Sequence, residues 1–282
     1  MSTKEIAFRT ASEILKAGIR FLGQRRGALV SARLAEELSA IIKVKTGKGT
    51  IHFYCPGEIP LWRAQTLLIK EPETIEWINT FEKGDVFWDI GANIGIYSLY
   101  AALRPDLKVL SFEPAGVNYY VLNRNIEINR MPNKISSFCI AFNDVTRLDY
   151  LHMVNTEIGG ALHAFAEPVD WHGKPFTAKF KQAMLGFSID DFMEQFDPPF
   201  PNHIKIDVDG FENKIIDGAE KTIFDKRLKS ILVELDTDRV EYCENVIASL
   251  ENAGMKLYAK KHADIIDESE FSMVYNHIFR RV

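Results

Sequence analysis

The chain has 282 residues, 46% hydrophobic and 26% charged, proportions that exclude a disordered, collagen-like or disulfide-built protein. Three cysteines, Cys55, Cys139 and Cys243, stand without CxxC or metal-ligand spacing, so a reducing cytoplasm is expected and a disulfide framework is not. Net charge is −5, but residues 1–50 carry ten Lys/Arg against four Asp/Glu and the remainder 24 against 35. The acidic body is expected to repel nucleic acid, which leaves the N-terminal arm to attract an anionic partner.

In chain order, Phe8, Ala11, Ile14, Leu15, Gly18 and Leu22 recur at helical spacing, and Val30, Leu34, Leu38, Ile41 and Ile42 do so again after Arg25-Arg26-Gly27. A helical arm is expected. Its acids Glu13, Glu36 and Glu37 interrupt the basic face, so a docking helix is favoured over peripheral contact with an anionic membrane surface. Thr50 to Tyr54 is β-branched and aromatic and precedes Pro56, Gly57 and Pro60, a strand and turn before a helix that starts with Pro72. The arm and short strand are expected over 1–70, and one α/β domain over 71–282.

From Asp85 onward apolar strand runs alternate with helical stretches, the pattern of a parallel sheet covered on both faces. The clearest strands are Val86 to Ile90, Lys108 to Phe112, His203 to Asp207 and Lys229 to Leu235. Residues 145–187 lose the helical period and carry Gly159-Gly160, Pro168, Gly173 and Pro175, an insertion of hairpins and loops of the kind that shapes substrate access. Met255 to Lys260 and Met273 to Phe279 read as an antiparallel finish, separated by an acidic turn. The longest uncharged run, Ile90 to Leu103, is too short to span a bilayer, and the N-terminus lacks an apolar signal-peptide core.

The strongest chemical signal is Val86-Phe-Trp-Asp89-Ile-Gly91-Ala-Asn93-Ile-Gly95, a buried strand running into glycines and a helix. Gly91 removes a Cβ that would block close approach, Asn93 tolerates a left-handed backbone, and Gly95 permits tight packing of helix on strand. Asp89 can accept a hydrogen bond from a ligand amine or hydroxyl. Glu113 ends the next strand, where an acid grips a ribose diol. The spacing is Gly-x-x-x-Gly, without the third glycine that bares a helix N-terminus to a pyrophosphate. S-adenosylmethionine is therefore expected rather than NAD.

These residues resemble a known family. Asp89-Ile-Gly-Ala-Asn-Ile-Gly95, Phe112-Glu-Pro114, the run Asn123-x-Asn125 to Asn129, Ser188-Ile-Asp-Asp191 and Ile204-Lys-Ile-Asp-Val-Asp-Gly-Phe-Glu212 with Gly218-Ala219 look like the FkbM-type methyltransferases. The resemblance runs from about Glu71 to Leu235. It implies a seven-stranded Rossmann-like sheet with helices on both faces, S-adenosylmethionine as methyl donor, and a hydroxyl oxygen as the usual acceptor. Asp89, Gly91, Ala92, Asn93, Gly95, Glu113 and Pro114 are then the cofactor turn and ribose corner. The family's Asp-Val-Glu-Gly stands here as Asp207-Val-Asp209-Gly, one carbon shorter.

Ligands of such sheets bind beyond the carboxyl ends of the strands, so Asp207 and Glu234 are expected to face one crevice with Asp89 and Glu113. Asp207 is the candidate nearest the methyl, as base or orienting partner of an acceptor hydroxyl, with Glu234 beside it. The plain alternative has Asp207 and Asp209 capping the helix near Glu212. Phe142, Asn143 and Asp144, after Ala141 at the end of the third strand, can supply aromatic and polar contacts to adenine. Lys70 and Glu71 precede the core, where they can meet the methionine part of the cofactor or the acceptor, but a surface helix start is favoured; His163 and His172 read as loop histidines able to serve as bases. Asp207 and Glu234 lack a third ligand, so no metal site is expected. Asp197-Pro-Pro-Phe200 copies a signature of enzymes that methylate base amines, but it precedes its strand instead of following it. The acceptor is expected to be a small molecule or saccharide, and the oligomeric state is open. Two other readings stand beside this one, a nicotinamide-dependent oxidoreductase and a non-catalytic nucleotide-binding module.

Overall fold

The computed structural model describes residues 3–262 and 272–282 and falls into two compact units, Met1–Ile41 and Ile42–Val282. The first holds α1 (Thr3–Phe21) and α2 (Gly23–Leu38). Gly27 is buried there because a Cβ on it would come within 2.7 Å of the Ile19 carbonyl oxygen. Ile6, Phe8, Ile14 and Leu15 are exposed on α1. Neither helix is long and apolar enough to cross a membrane.

The helical reading of Ile41 and Ile42 is corrected: the chain turns at Ser39 into β1 (Ala40–Thr46), which pairs with β2 (Gly49–Cys55). Ile42 and Val44 alternate toward the core, as do Ile51, Phe53 and Cys55, and a period of two outweighs the helical one here. The amides of His52 and Tyr54 donate to the side-chain oxygens of Asn129 and Asn125 at 2.9 and 2.7 Å. The asparagine run thus closes a strand edge.

Next come α3 (Glu58–Gln65), α4 (Pro72–Asn79), β3 (Val86–Ile90), α5 (Ile96–Ala102), β4 (Lys108–Phe112), α6 (Gly116–Ile128) and β5 (Ile135–Phe138). Residues 42–70 supply Ile51, Phe53, Ala64 and Leu67 to the same buried cluster as Phe87 and Val109. The division seen in the structure therefore lies nearer the N-terminus than the boundary expected at 70. β6 (Ala141–Phe142), just before the insertion, joins β7 (Arg147–Met153), β8 (Ala164–Phe165) and β9 (Phe180–Phe187) within it in a separate four-stranded sheet of order β6-β9-β7-β8. Ala141 and Phe142 belong to this sheet and not to the third parallel strand, which ends at Phe138.

The chain continues through α7 (Ile189–Phe196), β10 (His203–Ile206), α8 (Glu212–Asp217), α9 (Glu220–Phe224), β11 (Ser230–Asp236), α10 (Val240–Asn252), β12 (Met255–Lys261) and β13 (Val274–Arg281). The main sheet has seven strands in the order β12-β13-β11-β10-β3-β4-β5, parallel except for β13, which is antiparallel to both neighbours. The acidic turn expected before β13 lies outside the described residues. Successive residues of β3 serve opposite faces, Trp88 and Ile90 one apolar cluster and Phe87 the other, so helices cover both sides. This is a Rossmann-like sheet.

Candidate active site

The turn after β3 is pinned to its neighbour: the amides of Gly91 and Ala92 both donate to the Phe112 carbonyl at 3.0 Å. Gly91 has φ +82°, and a Cβ there would stand 1.8 Å from the Asp207 carbonyl oxygen. The glycine is thus needed first for backbone meeting backbone, whereas the sequence suggested room for a ligand. Asn93 takes φ +49° and Gly95, the residue before α5, φ +86°. Asp89 is 1% exposed; its Oδ2 accepts from Ser98 at 2.5 Å, while Oδ1 has no partner. Burial raises its pKa against the pull of Lys205.

Glu113 follows β4 with both oxygens in use, Oε2 accepting from the Asn93 amide at 2.7 Å and Oε1 from the Ala115 amide at 2.8 Å. A carboxylate retains further lone pairs for a ligand. Burial pushes it up to about 7 in spite of these bonds. It lines a cavity of about 400 Å³ together with Gly91, Asn93, Pro114, Asp207, Asp209 and Glu234. Asp89 and Ala92 line a smaller adjoining cavity that also touches Asp207.

At the end of β10 a half-buried ion cluster built on a buried lysine appears that the sequence reading did not foresee. Lys205 is 1% exposed and sits in register with Asp89 on β3. Its Nζ lies 2.5 Å from Asp207 Oδ2 and 5.1 Å from the centre of the Tyr97 ring. The signal available was a lysine inside an apolar strand, since a buried charge demands a partner. Burial alone would raise Asp207, but the ammonium groups of Lys205 and Lys70 hold it well below the ordinary carboxylate range. Glu234 goes the other way: burial, then repulsion from Asp207, raises its pKa well above the usual value. Burial and Asp207 likewise push Asp209 up to about 6.

Asp207, Asp209 and Glu234 each offer an oxygen within 4.8 Å of the others, so the spacing that suggested two acids becomes three in space. The capping alternative is corrected, because α8 has Phe211 at its N-cap and Asp209 instead accepts from the Leu162 amide at 2.7 Å. Glu71 is not a surface residue either; it is 3% exposed and pairs with Lys70 Nζ at 2.7 Å.

The insertion closes over the turn. Gly160 O accepts from Asn93 and Asn118 side chains at 2.9 and 3.0 Å, and Arg63 Nε donates to Gly159 O at 2.8 Å. On the far side, Pro114, Phe142, Asn143, His163 and Phe211 line a narrow cavity of about 40 Å³. Phe142 packs against Phe112 at 4.7 Å, and the Asn143 Nδ2 is buried without a partner. Asp144 is not among the lining residues. His163 lines this cavity and the larger one, has neither ring nitrogen paired, and is pushed down to about 4 by burial. His172 stands apart, 3.2 Å from Asp236.

A methyltransferase FkbM domain is matched over residues 89–257, more than half of the chain. The chain belongs to the FkbM methyltransferase family. The 31-O-demethyl-FK506 methyltransferase FkbM of Streptomyces tacrolimicus is 37% identical over 59 residues, 21% of this chain and 23% of that one. The hexuronic acid methyltransferase AglP of Haloferax volcanii is 22% identical over 176 residues, 62% of this chain and 66% of that one. This FkbM-family chain thus spans less than two thirds of the length of the curated relatives it matches. Among solved structures, the M1A22 tRNA methyltransferase TrmK of B. subtilis gives a TM-score of 0.41 at 12% identity, covering 76% of this chain and 65% of that one.

Proposed function

We propose that this protein transfers the methyl group of S-adenosylmethionine to a hydroxyl oxygen of a small molecule or saccharide. The observation that carries the reading is the set of buried polar atoms left unpaired along the cavities. Asp89 Oδ1 at one end needs a donor and Asn143 Nδ2 at the other needs an acceptor, and unsatisfied buried groups of this kind cost stability unless a ligand meets them. An ammonium suits the first and an adenine ring nitrogen the second, with Glu113 between them for the ribose hydroxyls. The residues present fit the cofactor.

When bound, that cofactor supplies an electrophilic methyl on a good leaving group, which leaves alignment of the nucleophile as the main task of the protein. Asp207, fixed by Lys205 and ionised, can accept a hydrogen bond from an acceptor hydroxyl and hold its oxygen on line. A carboxylate held so low is a poor proton sink, so its contribution is orientation. Burial and the Asp207 charge raise the pKa of Glu234 and so favour its protonated form beside the ionised Asp207. Support for an oxygen acceptor comes from the 31-O-demethyl-FK506 methyltransferase among the relatives, and the acidic body of the chain weighs against a nucleic acid.

The test is incubation with methyl-labelled S-adenosylmethionine and a panel of hydroxylated macrocycles, saccharides, uronic acids and total tRNA, with product mass as readout. A methoxy product is expected; an N-methyl product, or label in tRNA alone, would sink the assignment. Asp207→Asn should bind S-adenosylhomocysteine within a few-fold of wild type yet lose about 10²-fold or more in turnover. The variant leaves the Lys205 ammonium without its carboxylate counter-charge and will melt earlier, so rates are read well below its melting point. Binding lost with turnover intact at saturating cofactor would assign Asp207 to the cofactor instead.

A further inference from the structure

Arg63 on α3 and Lys70 after it each line both the larger cavity and the smaller one that holds Asp89. Arg63 spends only its Nε on protein, donating to Gly159 O. It enters no ion pair among the described residues, and its two Nη groups find no partner there. The Nε bond fixes the guanidinium plane, so the fork is oriented before any ligand arrives. Lys70 gives one hydrogen to Glu71 and has two left. Asp89, with its unpaired Oδ1, lines the smaller cavity too, as do Glu71, Lys205 and Asp207. Lys205 pairs with Asp207 and Glu71 with Lys70, which leaves the Asp89 oxygen for an ammonium and the remaining Arg63 and Lys70 donors for a carboxylate, the two charged ends of an α-amino acid. A planar fork with a point charge beside it is the donor set that a carboxylate takes in two-pronged fashion.

We propose that Arg63 and Lys70 form a carboxylate-binding site, filled by the amino-acid end of the cofactor or by the carboxylate of an acidic acceptor. This rests on the S-adenosylmethionine reading above. The experiment titrates wild type, Arg63→Gln and Arg63→Lys with S-adenosylhomocysteine and with 5′-methylthioadenosine, which keeps the nucleoside and lacks the amino acid. D-glucuronate and D-glucose are then titrated onto the S-adenosylhomocysteine complexes.

If the carboxylate is the cofactor's, Arg63→Gln weakens S-adenosylhomocysteine roughly 10- to 100-fold, as expected for lost charged hydrogen bonds. It leaves 5′-methylthioadenosine unchanged, and Arg63→Lys recovers part of the loss. If the carboxylate is the acceptor's, both nucleosides bind as before and only D-glucuronate is weakened relative to D-glucose. Equal weakening of both nucleosides would mean that Arg63 merely holds the Gly159 loop, and no change in any titration would mean that it recognises nothing; either result overturns the proposal. Failure of wild type to bind S-adenosylhomocysteine or 5′-methylthioadenosine would instead remove the cofactor reading, and this proposal with it.

Discussion

At the amino ends of β3, β10 and β11, Asp85, His203 and Ser230 form a closed chain. His203 Nε2 lies 2.8 Å from Asp85 and its Nδ1 2.7 Å from Ser230 Oγ, which also accepts from Trp77 Nε1 at 2.8 Å. Those are the residue types of a nucleophilic triad, yet all three are buried and none lines the cavities described above. At the carboxyl ends of the same strands Asp89 keeps an unpaired oxygen and three acids crowd together, and Asn143 and His163, brought there by the second sheet and its loop, keep unpaired atoms as well. One end of the sheet completes its polar groups from within the chain; the other leaves them for something that arrives. The difference teaches that satisfaction of buried polar groups, more than residue type, separates a structural cluster from a binding site.

This contrast can be broken at several points. Gly91→Val should do the greatest damage, because its side chain would overlap the Asp207 carbonyl at a left-handed φ; about 3 kcal/mol or more of stability is at stake, read as lost cooperative melting without ligand. His203→Ala should cost about 3 kcal/mol, through its hydrogen bonds and its stacking on Phe81 at 3.8 Å. Affinity for S-adenosylhomocysteine should stay put. A weakened affinity in a variant that still melts cooperatively would erase the distinction between the two ends.

Glu113→Ala should reverse the pattern, weakening S-adenosylhomocysteine by about 1.5 to 3 kcal/mol in calorimetry with a smaller loss of stability. The smallest effect is in pH. Because Glu113 titrates near 7 in the folded chain, above its unfolded value, its ionised form destabilises the fold fully above that pKa. The cost disappears as pH falls toward the unfolded value. The melting temperature of Glu113→Gln minus that of wild type should therefore decrease from pH 8 to pH 5, and a flat difference would contradict the raised pKa.

The carboxyl-end turn was legible because Val86 to Ile90 is an unbroken apolar run that ends in Gly91, Asn93 and Gly95, where only special backbone conformations fit. Local chemistry of that kind is written in consecutive residues. Lys205 was not read as a site residue, since apart from its strand neighbour Asp207 its surroundings, Asp89 on β3 and Tyr97 on α5, reach it only when β10 lies beside β3. Ile41 and Ile42 misled because two adjacent apolar residues satisfy a helical and a strand period alike until Val44 decides. Ala141 and Phe142 were assigned to the wrong sheet for a related reason: two residues carry too little pattern to say which edge they join.

The most direct test of the account is a calorimetric titration of wild type and Asp89→Asn with S-adenosylhomocysteine at pH 7.5. Asparagine can keep the contact with Ser98 while removing the charge that waits for an ammonium. The account predicts one site in wild type, affinity at least about tenfold weaker in the variant, and little change in the unliganded melting temperature. Equal affinity of the two proteins, or no binding by wild type, would contradict it.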